Sequence, residues 1–145
     1  MKHEERSIVR VSRRFGAAPS RVFQAWTDPS KAQTWMAPPA SGDEIVRVDI
    51  DPRVGRPFTL VVRRGGEEVR HSGEYLEVVK PRRLVFTWVV LAISKETTLV
   101  SIDLRPVWSG TDLTLKHERV LPADRGCTEA RWSGTLDAIA TLLRA

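Results

Sequence analysis

The stretch TEARWSGTLDAIATLL, Thr128 to Leu143, decides how the rest of the chain is read. At helical spacing Trp132, Leu136, Ile139 and Leu143 fall at i, i+4, i+7 and i+11. They form one apolar stripe, while Glu129, Arg131, Asp137 and Thr141 point elsewhere. No other stretch reads as a long amphipathic helix. From about Asp43 to Val120 the hydrophobic period is two instead, which is the period of strands. A curved sheet of that extent needs a cover for its apolar face, and the terminal helix is available to provide it.

Moving upstream from the helix, Ser109-Gly110 reads as a two-residue turn that pairs Leu104 with Leu115 and Ile102 with His117. That places His117 on the apolar face with Val100, Leu104 and Leu113. Gly65-Gly66, between Val61-Val62-Arg63-Arg64 and Glu67-Glu68-Val69, has the composition of a type I′ turn. It sets Arg64 opposite Glu67, Arg63 opposite Glu68, Val62 opposite Val69, Leu60 opposite His71 and Phe58 opposite Gly73, where a ring can cover bare backbone. His71 therefore shares a face with Phe58, Leu60 and Val62. With Lys80 to Arg83 as the next loop, Val79 lies opposite Leu84, Tyr75 beside Trp88 and Glu77 beside Phe86, so that aromatics converge.

Ahead of the sheet, Ser7 to Phe15 alternates as a strand that Gly16 ends. Pro19 opens a short helix with Val22, Phe23 and Trp26 on its apolar edge. Asp28 caps a second one, with Pro29 at its first position and Trp35 at its end. Pro38, Pro39, Ser41 and Gly42 form the loop into the sheet. The expected fold is α+β: a curved antiparallel sheet of about seven strands, in the order β-α-α-β6-α, wrapped around a long C-terminal helix as one domain, 1–145.

A chain of 145 residues can bury about two thirds of its unfolded surface in one core. No apolar run approaches a membrane span, and MKHEERSIVR has no apolar signal core, so the cytoplasm is the expected location. The single cysteine, Cys127, allows neither an internal disulfide nor a thiolate metal site. The net charge is +5, but its arginine pairs (Arg13-Arg14, Arg63-Arg64, Arg82-Arg83) are scattered and not interleaved with aromatics. A basic surface is expected, not a nucleic-acid footprint.

Three segments together resemble a known family: Val22-Phe23-Gln24-Ala25-Trp26-Thr27-Asp28-Pro29 with Trp35, then Gly73-Glu74-Tyr75-Leu76-Glu77 with Pro81 and Leu84-Val85-Phe86-Thr87-Trp88, then Gly110-Thr111-Asp112-Leu113-Thr114-Leu115-Lys116-His117-Glu118. They are similar to the stand-alone bacterial proteins related to the C-terminal domain of the activator of Hsp90 ATPase, within the START-like or Bet v 1-like helix-grip superfamily (SRPBCC). The likeness covers roughly Ser7 to Leu143. One departure is that Trp132 follows Ala130-Arg131, where members often carry Gly-Trp. The resemblance implies a cavity between helix and sheet, and it leaves the activity open, because the superfamily hosts carriers, cyclases, hormone receptors and co-chaperone domains.

The candidate ligand-binding set is Trp35, Phe58, His71, Tyr75, Phe86, Trp88, His117 and Trp132: aromatics for an apolar body and two imidazoles as polar anchors. No catalytic residue, cofactor or metal is expected, since two histidines on separate strands without a third spaced ligand are not a zinc pattern. Cys127 follows Gly126 near the helix start and reads as a small side chain, and Gly65-Gly66 lacks the lysine and helix of a phosphate loop. The first expectation is a non-enzymatic or weakly catalytic binder of a small hydrophobic molecule. The alternatives are a co-chaperone partner of Hsp90 and a cyclase or hydrolase of aromatic or polyketide-like substrates; a homodimer is left open.

Overall fold

The structure, a computed structural model, describes residues 6–35, 42–90 and 97–144. Strand β1 (Ser7–Phe15) is followed by two short helices, α1 (Pro19–Thr27) and α2 (Pro29–Trp35). Six strands come next: β2 (Glu44–Asp49), β3 (Pro57–Arg64), β4 (Glu67–Val79), β5 (Arg83–Val90), β6 (Thr98–Val107) and β7 (Gly110–Val120). A 3-10 turn at Pro122–Asp124 then leads into α3 (Arg125–Arg144). All seven strands form one antiparallel sheet in the order β1-β7-β6-β5-β4-β3-β2, so α1 and α2 carry the chain from one edge to the other. Pro38, Pro39 and Ser41, read above as a loop, lie outside the described residues.

Local chemistry accounts for most of these boundaries. Asp28 Oδ1 accepts hydrogen bonds from the Ser30 amide at 3.0 Å and the Ser30 hydroxyl at 2.7 Å, capping α2 ahead of Pro29. Gly65 and Gly66 have φ of 57° and 84°, which a type I′ turn requires and a side chain would resist. The β3–β4 register runs as the turn dictates, with Arg64 opposite Glu67, Leu60 opposite His71 and Phe58 opposite Gly73. Arg64 nevertheless turns its guanidinium to Asp43, not to Glu67 across the ladder.

Two other registers differ from the sequence reading. On β4 and β5, Val79 pairs with Arg83, Val78 with Leu84 and Tyr75 with Phe86, and a bulge between Tyr75 and Glu77 adds a residue to β4. The bulge leaves Leu76 and Glu77 both exposed, so Glu77 is on the outer face, bonded to Arg83, instead of beside Phe86. On β6 and β7, Val107 pairs with Gly110, Ile102 with Leu115 and Val100 with His117, so the turn is Trp108-Ser109. Gly110 serves a different purpose. A Cβ there would sit 1.9 Å from the Phe15 carbonyl oxygen, so β1 can approach only a bare backbone. Both slips amount to an even number of residues at His117 and Tyr75, and both side chains keep the inward face.

Helix α3 starts at Arg125, three residues before the stretch quoted first, and buries Trp132, Leu136, Ile139 and Ala140. Arg13 on β1 bonds Asp137 on its outer side. The apolar interior divides into two groups. The larger joins α1, α2 and α3 to β5–β7 and the inner ends of β3 and β4, with Phe58, Tyr75 and Phe86 among its members. The smaller is Leu60, Val62 and Val69, towards the β3–β4 turn. Trp88 packs against both, and α3 leaves the sheet between them uncovered.

Candidate functional site

The uncovered part of the concave face is a cavity of about 640 Å³. Strand alternation supplies its walls: Leu60 and Val62 from β3, His71 from β4, Trp88 and Val90 from β5. Trp132 and Gly134 of α3 close it from above, and Trp35 at the end of α2 completes the aromatic side. Of the eight side chains expected at a binding site, Trp35, His71, Trp88, His117 and Trp132 line this space. Phe58, Tyr75 and Phe86 are not among its lining residues. They form the packed layer beyond Trp88, with ring centroids of Phe58 at 5.5 Å from Tyr75, 5.4 Å from Phe86 and 5.9 Å from Trp88. Gly73 lies in this layer: a Cβ would fall 2.6 Å from the Phe58 ring and 1.8 Å from the Thr87 carbonyl oxygen.

The two histidines are equally buried, at 6% and 5% exposure, but differ in what they touch. Trp132 Nε1 donates to His117 Nδ1 at 3.0 Å, which places the imidazole proton on Nε2, facing the Thr98 hydroxyl at 2.6 Å. Thr98 in turn donates to the Trp88 carbonyl at 2.8 Å. The chain of bonds runs in one direction through α3, β7, β6 and β5, and every ring nitrogen of His117 is used. Burial pushes its pKa down to about 4, so the ring is neutral at pH 7. With no lone pair left, His117 is an orienting group and a poor general base.

His71 is the open one. Its Nδ1 is buried and makes no hydrogen bond of regular geometry among the described residues, though the nearby Leu60 carbonyl favours the protonated ring slightly. Burial first, then the Arg64 and Arg131 charges, lower its pKa to about 4. The ring stands 5.3 Å from Trp88, centroid to centroid, and Trp88 stands 5.5 Å from Trp132.

The mouth is charged. Arg64 grips Asp43 with two bonds, 3.0 and 2.7 Å, and this pairing holds the Asp43 carboxyl below the usual carboxylate range. Arg119 and Arg131 also border the opening. Arg119 takes a left-handed φ of 68° where β7 bulges against β1 between Ser7 and Val9. Cys127 is exposed in the first turn of α3, also at the mouth. Sequence reasoning did not select Thr98, Arg64, Asp43, Arg119 or Arg131. Arg119 was within reach, since it follows His117 by two on the same strand, and so was Arg131, the neighbour of Trp132. Thr98 and Asp43 carry no such signal.

Among the described residues no group of three His, Cys, Asp or Glu side chains could hold a metal ion, and no helix is long and apolar enough to cross a membrane.

The family described as activator of Hsp90 ATPase homolog 1-like protein matches residues 16–144. No curated protein matches the sequence significantly. Solved structures match over nearly the whole chain. Protein CV1439 from Chromobacterium violaceum is 27% identical with a TM-score of 0.85, covering 95% of this chain and 97% of that one. Protein NE0264 from Nitrosomonas europaea is 23% identical, TM-score 0.79, covering 94% of each chain. Mll3558 from Rhizobium loti is 24% identical, TM-score 0.77, covering 97% and 99%. The last two share the fold.

Proposed function

The chain belongs to the activator of Hsp90 ATPase homolog 1-like family, and on that premise we propose that it binds a small hydrophobic or aromatic molecule between sheet and C-terminal helix, without needing to transform it. The observation that carries this reading is the cavity itself. About 640 Å³ falls within the usual range of small-molecule sites, and its walls combine Trp35, Trp88, Trp132, Leu60 and Val62 with the polar His71. Such a surface left to water is costly, and an apolar guest relieves that cost. His117 supports binding over catalysis, because its two nitrogens are engaged in holding Trp132 and Thr98 in place.

The test is a titration with N-phenyl-1-naphthylamine, an uncharged apolar fluorophore, followed by its own emission and by tryptophan quenching. Saturable binding at one site is expected, weakened roughly tenfold by Trp88→Ala, which removes an aromatic wall. Absence of saturable binding would overturn the reading. Native mass spectrometry of the purified protein would identify any molecule carried through purification.

A second reading, a co-chaperone contact with Hsp90, is favoured by one feature outside the cavity. Trp108, in the β6–β7 turn, is 103% exposed, and a tryptophan in that setting suits a protein-protein contact. This reading requires that the chain change the ATPase rate of a bacterial Hsp90 and that Trp108→Ala abolish the change while dye binding persists. An unchanged rate at saturating protein removes it.

A further inference from the structure

The mouth of the cavity is unevenly charged: Arg6, Arg64, Arg119 and Arg131 border it against Asp43 and Asp124. Asp43 is held by Arg64 through both carboxylate oxygens, so its hydrogen bonds to a guanidinium go to Arg64. Arg131 forms no hydrogen bond or ion pair among the described residues, yet it lies near enough to act electrostatically on both Asp43 and His71. It precedes Trp132 on α3, and the Trp132, Trp88 and His71 rings follow one another at 5.5 and 5.3 Å. A cationic side chain at the rim and a buried imidazole on the wall thus line the same cavity as this aromatic pair. The imidazole is more than nine-tenths buried, and its Nδ1 makes no hydrogen bond of regular geometry among the described residues, the Leu60 carbonyl being its poorly aligned neighbour. A buried polar atom in that condition is destabilising unless a guest satisfies it.

We propose that the guest carries an oxyanion, a carboxylate or sulfonate, held between the Arg131 guanidinium and the His71 ring, with its apolar body against Trp88 and Trp132. This rests on the cavity reading above and narrows it to amphipathic acids. The entrance carries four arginines against two aspartates, an excess of positive charge that favours an anionic guest and disfavours a cationic one, while an uncharged guest gains nothing from it. A flat oxyanion accepts from guanidinium and imidazole N–H groups at once.

The matched probes are 8-anilinonaphthalene-1-sulfonate and its uncharged parent, N-phenyl-1-naphthylamine, titrated against the intact protein at physiological ionic strength. Arg131→Gln is expected to weaken the sulfonate probe about tenfold and to leave the parent within about twofold. His71→Phe, which keeps an aromatic ring in the wall, is expected to show the same selectivity. Arg70→Gln removes one exposed arginine from β4 outside the mouth and should change neither probe, separating a local contact from net charge. Equal sulfonate affinity in wild type and Arg131→Gln, or an equal loss for both probes, overturns the inference. If the parent binds and the sulfonate does not, the oxyanion site falls while the apolar cavity stands. If neither binds, the cavity reading fails as well.

Discussion

His71 and His117 have the same burial and the same lowered pKa of about 4, but only His117 has its hydrogen bonds made. Their replacement should therefore differ. His117→Leu strands the Trp132 indole N–H, takes away the donor to the Thr98 hydroxyl, which keeps its bond to the Trp88 carbonyl, and is expected to cost about 2–3 kcal/mol in urea unfolding at pH 7.5. His71→Leu removes a ring whose Nδ1 makes no hydrogen bond of regular geometry and should change stability by less than about 1 kcal/mol. Acid acts on both rings in the wild type. A histidine whose folded pKa lies below its unfolded 6.5 takes up its proton more readily in the unfolded chain. The stability it contributes is complete above about 6.5 and drains away as pH falls towards 4. At pH 5 the loss is roughly 2 kcal/mol per ring. Urea midpoints at pH 7.5 and 5 read this directly, and His71→Leu should halve the difference; an unchanged difference would place the His71 ring in water.

At the scale of single elements, two glycines with opposite surroundings make a paired prediction. Gly73 is enclosed by the Thr87 backbone and the Phe58 ring, so Gly73→Ala must push β4 away from β5 and is expected to cost more than about 2 kcal/mol. Gly134 lies inside α3, where an added methyl group would meet nothing within 4 Å, so Gly134→Ala should gain up to about 1 kcal/mol from helix propensity alone. Thermal melts of the two variants would separate them by sign. The same contrast explains which turns could be read in advance. Gly65-Gly66 enforces its own geometry through two positive φ values, and the β3–β4 register follows. Gly110 serves the approach of β1, a contact between strands from opposite ends of the chain, and no local pattern reveals it.

Across the whole molecule, α3 is both the closing wall of the core and the roof of the cavity. Leu136 is fully buried among the larger apolar group, whereas Trp132, one turn earlier, is shared between core and cavity. Leu136→Ala is expected to cost about 2–5 kcal/mol and to leave dye affinity in the surviving folded protein close to wild type. Trp88→Ala should do the reverse in emphasis, costing less stability per atom removed and more affinity. Equal effects of the two changes on affinity would mean that core and cavity are one continuous space. The fully exposed Trp108 stands apart from both, on the hairpin tip.

What the sequence determined by itself was the order of elements and the inward face of His71, His117 and the candidate aromatic side chains. Helical and strand periods are local properties of the backbone, and a register slip of two residues leaves the face unchanged, which is why His117 and Tyr75 remained inward. Tertiary structure alone decided the bulge that turned Glu77 outward, the division of the aromatics into packed layer and cavity wall, the Trp132–His117–Thr98 chain and the arginines at the mouth. Each of those depends on how elements distant in the chain meet, above all on the distance between α3 and the sheet, and a space left between elements has no period for a sequence to carry.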